Sequence, residues 1–354
     1  MHAPAKEDFG SEHLSPVMAM PQWLSTVLKT WFVQELWRNF KLFGPIVLGF
    51  LLSQLLVVVS LIFCGHYPKD TALVLEGAGL AISFITLTAF LVMMGMGAAM
   101  DTLATQAYGA GSYKKVGVYL QRGLIIHALA LLVVLSLWLN IENILNLLHQ
   151  PPCVIQYTVS FFHGFYFALP AMLGFFLVQK FLQAQRIVYP FIIAEAAATV
   201  VSILAHYLLM FVADLGILGA GIALGLAQWA ALVFLLLTIW IRKLHKDAWD
   251  GWSWECLNDW GQYIRYSIPG LFISVAEMAI YEVGVFVVGL TGSIQQSILV
   301  VLFQFFYIVI TVSYSLRTTN TVRVGNELGA GTYVECGCIY LKCIVCILQV
   351  VPYS

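Results

Sequence analysis

Long unbroken runs of apolar residues recur along the chain, separated by short polar stretches. A helix needs roughly 20 residues to cross about 30 Å of hydrocarbon. Nine runs approach or reach that length: Phe43 to Cys64, Val74 to Met100, Val116 to Leu139, Val154 to Val178, Ile187 to Val212, Leu218 to Ile241, Tyr263 to Leu290, Ser297 to Thr318 and the shorter Cys338 to Val351. They do not alternate polar with apolar, as strands of a membrane barrel would, so they predict helices. Ahead of them, Trp23 to Phe43 mixes Trp31, Phe32, Leu36 and Trp37 with Lys29, Glu35, Arg38 and Lys41. It reads either as an interfacial amphipathic helix or as a solvated tail leading into the first span.

Composition agrees with the pattern: 61% of the 354 residues are hydrophobic and 10% are charged, with a mean hydropathy of +0.89. A soluble domain of this size needs far more charged surface, so the chain reads as an integral membrane protein. A net charge of −1 argues against nucleic acid as a partner. Residues 1–22 lack a cleavable secretion signal, so the first span is expected to act as its own insertion signal.

Basic residues orient the spans, because they avoid the translocated side of short loops. With the amino terminus in the cytoplasm, every Lys and Arg except Lys69 falls at a cytoplasmic position, including Lys180, Arg186 and the group from Arg317 to Lys342.

An internal repeat supplies the architecture. A shift of 220 superposes Gly109, Ala110, Gly111 and Tyr113 on Gly329, Ala330, Gly331 and Tyr333. Each copy closes one apolar run and opens the next, as a Gly-rich turn at a helix end does. Upstream, Gly44-Pro45 and Ile268-Pro269 open corresponding runs, and Gly65 and Gly289 close them. Six spans separate the copies. Parallel six-helix repeats are a transporter design, with the substrate site between the halves.

Candidate chemistry is concentrated in the seventh span. After Arg265, Glu277 and Glu282 are the only Asp, Glu, Lys or Arg residues up to Phe303. An ionisable group in a hydrocarbon-length helix usually faces a cavity or a partner. A desolvated carboxyl exchanges its proton nearer neutral pH than a solvated one, so a proton and a cation can compete for one group. Five helical positions turn about 140°, so the two carboxyls face different neighbours unless the helix bends.

Several motifs together resemble the multidrug and toxin extrusion (MATE) transporters: GMGAAMDTLATQAYGAG, the stretch from Phe181 to Gln185 followed by Pro190, and VRVGNELGAG. FCGH at Phe63 to His66, the linker AWDGWSWECLNDWG and AEMAIYEVG around the two Glu are similar to the animal branch. The resemblance implies an all-α polytopic membrane protein. Residues 1–42 would form a cytoplasmic tail, 43–241 a six-helix bundle, 242–262 a cytoplasmic linker and 263–354 a partial second bundle. It also implies an antiporter of the plasma membrane that exports organic cations, drugs and toxins in exchange for protons. Glu277 would have the leading coupling role and Glu282 the second.

The same comparison marks departures. Gln304 stands where animal members carry a further acid, and Gln cannot carry a proton. Glu195 in the fifth span is an acid at a position the family usually keeps small or uncharged; it reads as a partner of His206, as a lining residue of the first bundle, or as a snorkelling or protein-buried side chain. Cys64 matches a position the family associates with thiol sensitivity. Aromatic walls attract cations through ring faces, which nominates Tyr281 and Tyr307, with Gln54 as a polar wall. Asp101, beside Thr102, Thr105 and Gln106, reads as a helix-end or gate hydrogen-bonding group.

Cys336, Cys338, Cys343 and Cys346 have metal-like spacing, but the residues between them are those of a helix entering the membrane, so no metal site or cofactor is expected. No phosphate loop or nucleophile elbow appears, and an enzyme is not expected. A family member has twelve core helices, whereas this sequence ends within its ninth run. The alternative expectation is therefore a truncated, nontransporting form that associates with a full-length relative.

Overall fold

Residues 22–289 and 293–332 are described by the computed structural model, apart from the side chains of 22–36 and of scattered positions between 278 and 307. The described residues contain helices and turns but no strand. Eleven helices follow in order: α1 Gln22–Gly65, α2 Thr71–Ile85, α3 Leu91–Gly109, α4 Tyr113–Leu139, α5 Ile141–Leu147, α6 Pro152–Phe165, α7 Leu169–Ala184, α8 Tyr189–His206, α9 Gly216–Arg242, α10 Trp260–Gly289 and α11 Ser293–Gly329. Residues 22–41 contribute the first part of α1.

Among the described residues, six segments are long and apolar enough to cross a membrane: Trp37–Gly65, Thr71–Gly109, Tyr113–Leu139, Pro152–Ala184, Tyr189–Val212 and Gly216–Arg242. They coincide with the first six apolar runs, and the chain is a multi-pass membrane protein. Helices α10 and α11 occupy the seventh and eighth runs. The ninth run and the four-cysteine cluster lie outside the described residues.

Three of the six spans are not single α-helices: a 3-10 turn at Tyr166–Ala168 joins α6 to α7 within one, and π-helical turns interrupt or end two others. Residues Thr86–Phe90 form a π-helical turn between α2 and α3, and Tyr207–Val212 form another after α8. In the first, the Thr86 and Thr88 hydroxyls donate to the carbonyls of Ile82 and Phe84, and Thr88 also accepts from the Trp138 indole. Such turns widen a helix by one residue without breaking the chain's path.

The repeat is visible in three dimensions. Pro45 lies inside α1 and Pro269 inside α10, and these helices end at Gly65 and Gly289. Helices α3 and α11 end at Gly109 and Gly329 with the same turn. In one copy the amides of Ala110, Gly111 and Ser112 donate to the carbonyls of Gln106, Tyr108 and Ala107; in the other, Ala330, Gly331 and Thr332 donate to Asn326, Leu328 and Glu327. Gly111 and Gly331 take φ of +72° and +78°, a left-handed conformation in which a side chain is strained.

The two copies also touch. A Cβ on Gly109 would run into the backbone of Asn326, and one on Gly329 into the backbone of Gln106. Because 106 and 109 correspond to 326 and 329, these contacts are reciprocal. Gly325 faces Thr105, its own counterpart, and the Tyr314 hydroxyl meets the sulfur of its counterpart Met94 at 3.2 Å. Helices α3 and α11 therefore pack about a local pseudo-two-fold, with glycines permitting the close approach that helix pairs in lipid require.

Between α9 and α10 the chain is strapped onto α4. Gln121 donates to the Gly251 carbonyl at 2.7 Å and accepts from the Ser253 amide at 2.8 Å, while Arg122 donates to the Glu255 carbonyl at 3.0 Å.

Candidate functional site

Helix α10 is brought against α3 by small residues. A Cβ on Gly270 would meet the Gly95 carbonyl and Ala98, and one on Gly95 would meet the backbone of Leu271. From Gly270 the face at i, i+4 and i+7 carries Ser274 and Glu277 into a narrow cleft of about 40 Å³. Helix α3 supplies Met94, Ala98 and Asp101 at a matching spacing, and α11 supplies Tyr314, Arg317, Thr318 and Thr321.

Glu277 is not alone in this cleft. Arg317 Nη1 lies 2.8 Å from Oε1 and 2.6 Å from Oε2 of its carboxylate, so one nitrogen straddles both oxygens. Each side chain is about half exposed, at 48% and 49%. Across the cleft, Asp101 accepts from Lys180 of α7 at 2.7 Å, and here the lysine is only 4% exposed. The Asp101 side chain thus serves an ion pair rather than a helix end; Thr102 and Thr105 donate to backbone carbonyls instead.

A larger cavity of about 240 Å³ adjoins the cleft, sharing Phe90, Met94 and Tyr314 as walls. Its lining includes aromatic and sulfur-bearing side chains, with Phe50, Phe175, Phe176, Met93 and Met172 among the wall residues. Gln54 lies on this wall, together with Gln179, Gln228, Lys180 and Glu195. The π-turn residues Thr86 and Phe90 line it too, which places the widened turn at the cavity wall.

Glu195 is 1% exposed. Its Oε1 accepts from Ser53 of α1 at 2.6 Å, and its Oε2 has no hydrogen-bond partner among the described residues. The Glu195 side chain is buried within the protein on the cavity wall, and it is not paired with His206. His206 lies 11 positions away on the same helix, about 16 Å along its axis, and its Nδ1 contacts the Ser202 carbonyl at 2.8 Å. A hydroxyl on α1 reaches Glu195 first.

Cys64 is fully buried, so reaction with a thiol reagent requires local opening. The side chains of Tyr281, Glu282, Gln304 and Tyr307 lie outside the described residues.

The sequence reading missed the basic half of both ion pairs. Lys180 and Arg317 each stand near the end of an apolar run, where a basic residue reads as a cytoplasmic orientation signal rather than as a partner for an acid. Yet Arg317 falls inside the run Ser297 to Thr318 and 12 residues before α11 ends, about 18 Å along the helix. Its position within the run was the available signal, since an intramembrane base has a partner as a rule.

Comparison with known proteins gives these features a family. The MatE family model matches residues 45–208. Multidrug and toxin extrusion protein 1 of Mus musculus is 38% identical over 308 residues, covering 87% of this chain and 54% of the mouse protein. The protein of the same name from Danio rerio is 33% identical, covering 93% of this chain and 58% of its own length. The chain thus spans a little over half the length of the curated relatives it matches. Among solved structures, the eukaryotic MATE transporter AtDTX14 superposes with a TM-score of 0.79 at 26% identity, covering 89% of this chain and 70% of that one. The outward-facing form of a multidrug resistance MATE family transporter shares the fold at 14% identity and a TM-score of 0.72.

Proposed function

This chain belongs to the multidrug and toxin extrusion family, and from that premise we propose that it forms the cation-handling core of a secondary transporter of the plasma membrane. Its substrates are organic cations, exchanged for protons. The observation that carries this reading is the placement of Glu277: a carboxylate on a hydrocarbon-length helix, in a cleft that opens onto an apolar, aromatic and sulfur-lined cavity. The carboxylate supplies charge, and the ring and thioether walls supply adaptable contact with a bulky cation.

In this reading the proton and the cation take turns on the same oxygens. Protonation removes the charge that holds the cation and releases it to the acidic side; loss of the proton on the other side restores the site. Glu282 acts as the second carboxyl of the pair. Glu195, buried with one oxygen bonded to Ser53, is a further acid on the larger cavity that can hold a proton without exposing charge to hydrocarbon.

The test is pH-gradient-driven uptake of a fluorescent organic cation into vesicles containing the chain, beside Glu277→Gln. Gradient-dependent uptake that the substitution abolishes is the expected result. Uptake indifferent to Glu277 removes its coupling role. No uptake by the unmodified chain, with insertion verified, favours a nontransporting protein that works in association with a longer relative.

A further inference from the structure

We propose that Arg317 is a tethered counter-cation, occupying Glu277 whenever a transported cation does not, and thereby deciding which cations can enter. This deepens the transport reading above and rests on it.

The charges of the cleft lead to this assignment. Its described acids are Asp101 and Glu277, each already paired, the first with Lys180 and the second with Arg317. The Lys180 pair is buried on its basic side and is held as part of the packing between α3 and α7. The Arg317 pair is half exposed on both sides. One nitrogen spans the two carboxylate oxygens, rather than two nitrogens forming the parallel bonds of the strongest Arg–carboxylate geometry. Of the two, it is the pair that can exchange.

An incoming cation that takes Glu277 must release this guanidinium. The competitor is part of the chain, so its effective concentration is on the order of millimolar or above whatever the solution holds. A small hydrophilic cation offers the carboxylate nothing the guanidinium lacks and loses the competition. An aromatic cation also buries its body against Phe90, Met94 and Tyr314, the three residues common to the cleft and the larger cavity. Arg317 therefore raises the threshold for every cation, and bulky aromatic ones are those that pass it.

The experiment uses the full chain in lipid nanodiscs, with ethidium as the fluorescent aromatic cation and tetramethylammonium as the small competitor. Removing the tether in Arg317→Gln is expected to tighten ethidium binding about tenfold and to let tetramethylammonium displace it, which it does not do on the unmodified chain. Arg317→Lys keeps a tethered charge and is expected to stay within about threefold of the unmodified protein. Glu277→Gln, alone or combined with Arg317→Gln, is expected to weaken ethidium at least tenfold.

Ethidium binding that needs Glu277 but is unchanged or weakened in folded Arg317→Gln overturns the tether and leaves the transport reading standing. Absence of ethidium binding in every folded variant, the unmodified chain included, sinks the transport reading and the tether with it. Should Arg317→Gln fail to fold, the unmodified chain still decides: equal competition by tetramethylammonium and by unlabelled aromatic cations overturns the inference.

Discussion

The ion pairs Asp101–Lys180 and Glu277–Arg317 are nearly equal in length, at 2.7 and 2.6 Å, and stand on opposite walls of one cleft. They differ in polarity and in burial. On the α3 side the repeat helix carries the acid and its neighbour α7 the base; on the α11 side the repeat helix carries the base and α10 the acid. The first pair has its base sealed at 4% exposure, and the second has both members about half open. The repeated backbone has thus been given two different electrostatic tasks. A buried pair whose partner is removed leaves an uncompensated charge, whereas an open one leaves a group that water can solvate. By that difference the first pair holds helices together and the second holds a site.

The sharpest way to break this comparison is to remove the buried base. Lys180→Met is expected to destabilise the protein by about 3 kcal/mol, read as a lowered thermal unfolding midpoint in a fixed detergent. The double change Asp101→Asn with Lys180→Met is expected to recover most of it. An unchanged midpoint for the single variant would show that the pair has no holding role. Next in size come the glycine contacts at the crossing of α3 and α11. Gly109→Ala and Gly329→Ala each place a methyl against opposing backbone, at an expected cost of about 1–3 kcal/mol. The reciprocal geometry requires the two costs to be similar. A large effect from one and none from the other would disprove the local two-fold.

Glu277→Gln is expected to move stability by no more than about 1 kcal/mol, because its pair is half open, even as cation binding is lost. A thermal shift matching that of Lys180→Met would make Glu277 a structural residue. The smallest effect belongs to a third pair, Lys69–Asp214, outside the spans and exposed on both sides. Hydrogen bonds from Lys69 and then Tyr67 hold the Asp214 carboxyl below its ordinary range, and the bond to Asp214 raises Lys69. The Asp214 contribution is therefore present above the usual Asp range and lost as pH falls through its lowered value. The Lys69 contribution is present below the usual Lys range and lost as pH rises through its raised value. Between those limits, Asp214→Asn is expected to produce a small, pH-independent shift in the unfolding midpoint; a shift that changes across neutral pH would contradict this.

The spans were legible because an apolar run of 20 residues has few alternatives, and the repeat was legible because Gly111 and Gly331 answer a backbone requirement that few residues meet. The π-turns were not. Thr86–Phe90 contains neither Gly nor Pro, and its widening is supported by Thr hydroxyls whose carbonyl partners a sequence does not reveal. At the site, the carboxylates were found because acids are conspicuous among apolar residues. Their partners were harder. Ser53 is one hydroxyl among many, and Arg317 sits close enough to a helix end to pass for a loop residue. The expectation that Glu195 pairs with His206 failed for a similar reason, since proximity in sequence was the only distance at hand.

The widened turn at Thr86–Phe90 also divides one span between two neighbourhoods. Before it, α2 packs chiefly on α6; beyond it, α3 packs on α10, α11 and α4. A single continuous rod would rotate both sections together. Here five residues of π-helix, set in the wall of the cavity, stand between a section packed chiefly on α6 and a section packed chiefly on the helix that carries Glu277, while α11 touches both.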